Sequence, residues 1–137
     1  MQHPLPTLEF AFEAAVSVAP RFSLGQVHGG ERRVIPGGAD WQLVQPDGLI
    51  DLTARYTIEA ADGTLIGVVN RGLRHGPPEL LARLAAGEVV DPSLIYFRTT
   101  PVFEAPAGPH EWLALHIFVA TGQRHPDGVL IRFFVVR

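Results

Sequence analysis

Residues 49–71 read LIDLTARYTIEAADGTLIGVVNR, and in this segment two stretches rich in β-branched residues flank the pair Asp62-Gly63. An Asp-Gly pair readily adopts the positive φ that a tight hairpin needs. We therefore predict two antiparallel strands here, Leu49 to Glu59 and Leu65 to Arg71, joined by a short turn.

Two further Asp-Gly pairs, at 47–48 and 127–128, also lie between residues of strand type. Three such hairpins predict a mostly antiparallel, all-β chain. A helix is expected from Pro77 to Ala86, at one end of the sheet, because proline occupies its first turn and Gly87 follows it. The remaining predicted strands are Leu8 to Val18, Arg32 to Ile35, Trp41 to Val44, Tyr96 to Phe103, Trp112 to Thr121 and Val129 to Val136.

About eight short strands with one helix can close as a barrel or stack as a sandwich. We favour a single antiparallel up-and-down barrel, because closure removes unpaired strand edges. If residues 112–121 form a strand, both of its faces are largely apolar. We predict that one face points into the barrel and the other contacts a second subunit; these faces are Trp112, Ala114, His116 and Phe118, and Leu113, Leu115, Ile117 and Val119.

Length and composition exclude several classes of function. The 137 residues fit one domain, 1–137, and the 11 basic residues are all arginines scattered along a chain of net charge -3, so nucleic acid is not an expected partner. The absence of cysteine excludes disulfides and thiolate nucleophiles, and no close-spaced histidine pair predicts a metal site. We predict no cofactor. No apolar run is long enough to span a membrane, which predicts a soluble cytoplasmic protein.

Hydrophobic residues make up 47% of the chain and charged residues only 18%. A small monomer has a large surface to cover with polar groups, so this balance is unusual for one. We therefore expect a homo-oligomer, with a dimer as the simplest case.

Six short motifs follow one another along the chain: Gly37-Gly38-Ala39-Asp40-Trp41, Arg55-Tyr56, Asp62-Gly63, Asn70-Arg71-Gly72-Leu73-Arg74, Tyr96-Phe97-Arg98-Thr99 and Trp112-Leu113. In this order they resemble domain-of-unknown-function family 3237 (DUF3237), over nearly the whole chain after Val34. The resemblance implies an avidin-like or lipocalin-like barrel and no established reaction. Thr53 and Ala114 stand where the family usually has an acid and an asparagine.

Arginine forks bind carboxylates at two points, so the motif arginines are candidate ligand contacts. We predict that Arg55 and Arg98 approach each other across the barrel cavity and bind an anionic ligand there. An alternative is that they form structural ion pairs with Asp40, Asp51 or Glu104. The full set of candidate ligand-binding residues is Asp40, Trp41, Arg55, Tyr96, Arg98, Trp112 and His116. For both tryptophans and His116 the alternative is a position in the core, which is the more common place for such residues.

Three kinds of function remain open. The first is a binding protein for a small, partly apolar molecule with a carboxylate or enolic group. The second is a cofactor-independent isomerase, cyclase or lyase that uses His116 or Asp40 as the acid or base. The third is a structural or interaction protein whose barrel is filled by its own side chains.

Overall fold

The computed structural model describes residues 1–17, 26–27 and 32–137, with the side chains of all of these except 17, 26–27, 32–37, 40 and 41. One α-helix, α1 (Pro78–Ala85), lies between the fifth and sixth strands of this described part. Short 3-10 helices occupy Pro92–Leu94 and Glu111–Leu115. The strands are β1 (Leu8–Ser17), β2 (Gln26–Val27), β3 (Arg32–Val44), β4 (Ile50–Ala60), β5 (Leu65–His75), β6 (Tyr96–Glu104), β7 (Phe118–His125) and β8 (Gly128–Val136).

The eight strands form one sheet in the order β2-β1-β8-β7-β6-β5-β4-β3, and every neighbouring pair is antiparallel. From β3 to β8 each strand pairs with the next one in the chain, β1 pairs with β2, and β8 returns to pair with β1, an order close to that of an up-and-down barrel. The end strands β2 and β3 contact each other. No ladder joins them in the described residues, so the sheet is barrel-like without being strictly closed. The predicted all-β fold is confirmed.

Two of the predicted hairpins have the expected turn chemistry. Gly48 has a φ of 88° and Gly63 a φ of 85°, in the left-handed region that glycine tolerates best. The aspartate before each glycine accepts a hydrogen bond from the backbone N–H two residues further on, at 3.1 Å for Asp47 and 3.0 Å for Asp62. The third hairpin turns at residues 126–127, and its glycine begins β8.

The strand predicted from Trp112 to Thr121 is partly wrong. Its first half is the 3-10 helix Glu111–Leu115, in which the N–H of Leu113 donates to the carbonyl of His110 at 3.1 Å. This local hydrogen bond replaces a strand ladder, and β7 begins only at Phe118. The predicted alternation of two faces along 112–121 therefore fails, and Leu113 lies in the core while Leu115 is exposed.

The predicted strands 32–35 and 41–44 are parts of the single strand β3. Its register against β4 shifts between Ile35 and Ala39, so the Pro-Gly-Gly segment between them forms a bulge rather than a loop. A Cβ at Gly38 would lie only 2.8 Å from the Cβ of Tyr56. The glycine thus allows the bulge to pack closely on β4.

The inner face of the sheet carries two apolar clusters. The phenylalanine cluster includes Phe12, Phe103, Phe118 and Phe133 and is completed by aliphatic side chains from β4, β5 and β8. The helix-end cluster joins Leu84 of α1 to residues of β4 and β6, so α1 covers one end of the barrel as expected. Between the clusters lie small or polar residues that we call the central belt, namely Ala54, Asn70, Gly72, Thr99 and Pro101.

Candidate functional site

Tyr96 and Arg98 lie on the outer face of the barrel, not on its inner face as predicted. Burial alternates strictly along β6, with Phe97 and Thr99 buried and Tyr96 and Arg98 exposed. The physical reason is that Phe97 and Phe103 share one face of this strand, and the more apolar face is turned to the core. Strand alternation does keep Tyr96 beside Arg98, on the outside.

Arg55 is also exposed on the outer face, but it does not approach Arg98. Arg55 pairs with Val69, and Val69 pairs with Val102, which is four residues along β6 from Arg98. Four residues correspond to roughly 13 Å along a strand. The prediction that these two arginines face each other across a cavity is therefore wrong. Among the described side chains, neither of them forms an ion pair.

Trp112 and His116 lie just before β7, which begins at Phe118, and His116 is close to Arg137. The Nδ1 atom of His116 is 2.8 Å from the carbonyl oxygen of Trp112, and its Nε2 atom is 3.5 Å from Nη1 of Arg137. Trp112 packs against the phenylalanine cluster, and His116 is exposed. The predicted inward position of His116 is wrong, because the 3-10 helix interrupts the strand alternation on which it depended.

Asp40 and Trp41 belong to β3, but their side chains lie outside the described residues. The backbone register nevertheless gives their positions in the sheet. Trp41 pairs with Thr53, Thr53 with Arg71, and Arg71 with Thr100. Trp41 therefore lies in the same cross-strand row as Arg71 and Thr100, which both line the groove on the outer face of the sheet.

An open groove with a volume of about 620 Å³ lies on the outer face of β4 to β7. Its long side chains come from alternate positions of β5 and β6, which is why they share one face. The pairing places Asp51 opposite Leu73 and Leu73 opposite Arg98. The lining, which we call the outer groove, comprises Asp51, Arg71, Gly72, Leu73, Tyr96, Arg98, Thr99, Thr100 and Val119.

Arg98 is held in position within the outer groove. Its Nη1 atom donates to the carbonyl of Phe97 at 3.0 Å, and its guanidinium carbon is 5.4 Å from the centroid of the Tyr96 ring. The Tyr96 ring also stacks on His75, with the centroids 4.8 Å apart and the planes 18° apart. Tyr96 thus positions Arg98, and this pre-organisation lowers the entropy cost of binding a ligand at the guanidinium.

Arg71 is a groove residue that the sequence analysis did not select. Arg71 pairs with Thr100, and Arg98 stands two positions before Thr100 on the same face of β6, so the two arginines are diagonal neighbours. In the described part of the chain neither has an ion-pair partner. Alternation within β5 could have identified Arg71, because Ile66 and Val68 mark the opposite, inner face.

Arg74, in contrast, belongs to the inner face and is only 9% exposed. Its guanidinium carbon lies 5.6 Å from the centroid of the Phe97 ring. Asn70 and Thr99 of the central belt are each 2% exposed, and Asn70 Oδ1 and Thr99 Oγ1 have no hydrogen-bond partner among the described residues. These two atoms have almost no accessible surface in the described part of the chain.

Asp62 and His110 form a contact away from the groove, with 2.9 Å between Oδ2 and Nε2. The backbone N–H and the hydroxyl of Thr64 lower the pKa of Asp62 to about 2, and His110 contributes to the same shift. This contact joins the β4–β5 turn to the segment before the second 3-10 helix. We assign it to stability rather than to ligand binding.

Among the described residues, no three His, Cys, Asp or Glu side chains cluster as metal ligands would. The helices of this part of the chain are also too short or too polar to cross a membrane. The chemistry that the outer groove offers is therefore that of guanidinium, hydroxyl and carboxylate groups beside apolar walls.

The chain resembles known proteins along most of its length. The family model described as protein of unknown function (DUF3237) matches residues 6–136. A UPF0311 protein of Bradyrhizobium diazoefficiens is 54% identical over 99 residues, which are 72% of this chain and 65% of that protein. The chain therefore spans about two thirds of the length of this relative.

Two solved structures support the same fold. The crystal structure of a conserved protein of unknown function from Rhodopseudomonas palustris has a TM-score of 0.89 and 36% identity, over 99% of this chain and 100% of that one. A crystal structure from Acinetobacter baumannii, described as a beta-barrel like protein, has a TM-score of 0.79 and 29% identity, over 99% of each chain.

Proposed function

This chain belongs to the DUF3237 family of proteins of unknown function, and we propose that it is a small-molecule-binding protein. The ligand is a small, partly apolar anion that carries a carboxylate or an enolate group. It binds in the outer groove, with its charged end at Arg71 and Arg98. The observation that carries this proposal is the pair of neighbouring guanidinium groups without ion-pair partners in the described chain.

The charge of the groove supports an anion. Two guanidinium groups and one carboxylate, Asp51, line it, so its formal charge is +1. Two neighbouring cations repel each other, and an anion placed between them relieves that repulsion. Guanidinium forks match the planar oxygen pair of a carboxylate, and Arg98 is already oriented by Tyr96.

The walls of the groove support a partly apolar ligand. Leu73 is 42% exposed at its centre, and Val119 closes one side. The Tyr96 ring, which contacts His75 and Arg98, adds an aromatic side chain with a hydroxyl group to the lining. A volume of about 620 Å³ suits a molecule of metabolite size. Burial of the ligand's apolar part against these side chains adds to the electrostatic attraction.

Isothermal titration calorimetry with benzoate, octanoate and neutral benzamide tests this proposal. We expect both acids to bind the parent protein more tightly than benzamide, and the affinity to fall as salt is added. Arg98→Lys keeps the charge but loses the planar donor pair, so it should weaken acid binding about tenfold, or about 1.4 kcal/mol. Arg71→Gln should have an effect of similar size.

Arg83→Gln is the matched control, because Arg83 is half exposed on α1 and lies outside the outer groove. Its affinity for both acids should equal that of the parent protein. The proposal fails if the parent protein binds neither acid at millimolar concentration. It also fails if the acids bind equally well to the parent, Arg98→Lys and Arg71→Gln proteins.

A further inference from the structure

The outer face of β1, β8 and β7 carries a continuous row of apolar side chains. Phe10 pairs with Phe134, and Phe134 pairs with Val119. In the next row Leu8 pairs with Val136, whose N–H donates to the carbonyl of Ile117 at 2.8 Å. We call this surface the outer apolar patch, and it comprises Leu8, Phe10, Ile117, Val119, Phe134 and Val136.

The outer apolar patch is well exposed. Leu8 is 61% exposed, Phe10 47% and Ile117 73%, and the neighbouring Leu115 is 70% exposed. Soluble monomers rarely expose contiguous apolar surface beyond a few hundred Å². Each Å² removed from water contributes about 25 cal/mol, so this patch favours association with another surface.

The charges around the patch indicate which partner fits. Glu13 pairs with Arg132 on the same outer face at 3.6 Å, and the guanidinium carbon of Arg132 lies 5.0 Å from the centroid of the Phe10 ring. This pair gives the β1–β8 side of the rim one acid and one cation. A nucleic acid or an anionic membrane requires an excess of cations. A surface with both signs in equal number is complementary to itself, as a two-fold contact demands.

We propose that a second copy of this chain docks on the outer apolar patch and forms a two-fold dimer. In it the apolar residues of one copy pack on those of the other, and Glu13 of each copy meets Arg132 of the other. The interface differs from the one predicted from sequence, because Leu113 is in the core and only Ile117 and Val119 are common to both. This inference does not depend on ligand binding, although Val119 also lines the outer groove.

Sedimentation velocity at micromolar concentrations tests the inference with two patch variants, Ile117→Glu and Leu8→Glu. Both residues are largely exposed, so the substitutions should leave the circular-dichroism spectrum unchanged. Val89→Glu is the matched control, because Val89 is 65% exposed and lies after α1, outside the patch. We expect dimers for the parent and Val89→Glu proteins, and dimerisation at least tenfold weaker for each patch variant.

A monomeric parent protein at tens of micromolar would overturn the inference. Patch variants that dimerise as strongly as the parent would overturn it as well. Binding of a monomeric parent to vesicles of anionic phospholipid would assign the patch to a membrane surface instead. Failure of acid binding in the calorimetric experiment leaves the sedimentation result unaffected, so the two proposals can fail separately.

Discussion

Replacing Gly72 with alanine should destabilise the protein strongly, because the added methyl group meets the backbone of the next strand. A Cβ at this position would overlap the carbonyl oxygen of Arg98 and the Cγ2 atom of Thr99, and it would lie 2.9 Å from the Cα atom of Thr99. Carbon atoms pack best at about 3.5 to 4.0 Å. Relief requires β5 and β6 to separate where they form both the outer groove and the central belt.

We expect a loss of about 3 kcal/mol in the free energy of unfolding, the upper part of the range for overpacking, because two of the three atoms are backbone. For a chain of this length the loss corresponds to a fall of about 10 °C in the midpoint of thermal unfolding. Urea denaturation followed by tryptophan fluorescence measures the same free energy independently.

Gly67→Ala is the matched control in the same strand. A Cβ at Gly67 would lie 3.5 Å from the Cβ of Glu104, which is ordinary contact. This variant should be as stable as the parent or up to about 0.5 kcal/mol more stable, because alanine restricts the unfolded chain. If Gly72→Ala stays within about 0.5 kcal/mol of the parent protein, or if Gly67→Ala loses as much, the steric argument is refuted.

Two further predictions concern stability. Asp62 has a pKa lowered from 3.8 to about 2 in the folded protein, so the stability it contributes is complete above pH 3.8 and is lost as the pH falls through about 2. The parent protein should therefore be more stable than Asp62→Asn at pH 5, and this difference in stability should shrink toward pH 2. Thermal unfolding of both proteins at the two pH values measures it. A stability difference that does not change with pH contradicts the prediction. Phe133→Ala removes a fully buried ring that stacks on Phe12 at 4.5 Å, and should cost about 3 to 5 kcal/mol by urea denaturation. Leu43→Ala, at a side chain 64% exposed, is its control and should cost less than about 0.5 kcal/mol.

The fold was accessible from sequence wherever local chemistry decides the structure. Asp47-Gly48 and Asp62-Gly63 turn the chain by their own backbone preferences, and Pro78 and Gly87 bound the helix in the same way. The 3-10 helix at 111–115 was missed because Trp112, Leu113 and Leu115 look equally apolar in a strand. Only the tertiary structure shows that Leu113 alone among the leucines of this segment is buried.

Of the predicted ligand-binding residues whose side chains the structure describes, only Tyr96 and Arg98 line the outer groove. Alternation correctly places Tyr96 and Arg98 on one face of β6. Which face points inward depends on the apolar side chains of all strands together. On β6 the inner face carries Phe97 and Phe103, but the outer face also carries an apolar residue, Val102, so this strand alone indicates its inner face only weakly. The neighbour relationship between Arg71 and Arg98 depends on the register of β5 against β6, which a single strand's sequence does not contain.

The central belt has a consequence for how the barrel comes apart. Asn70 and Thr99 separate the helix-end cluster from the phenylalanine cluster. Asn70 Oδ1 and Thr99 Oγ1 have no hydrogen-bond partner in the described part of the chain, so these atoms contribute little cohesion between the two clusters. Local opening needs only the contacts on one side of such a boundary to break. We expect α1 and the strand ends beneath it to detach and re-dock while the phenylalanine cluster stays folded. The barrel would then open locally at the helix end instead of unfolding as one cooperative unit.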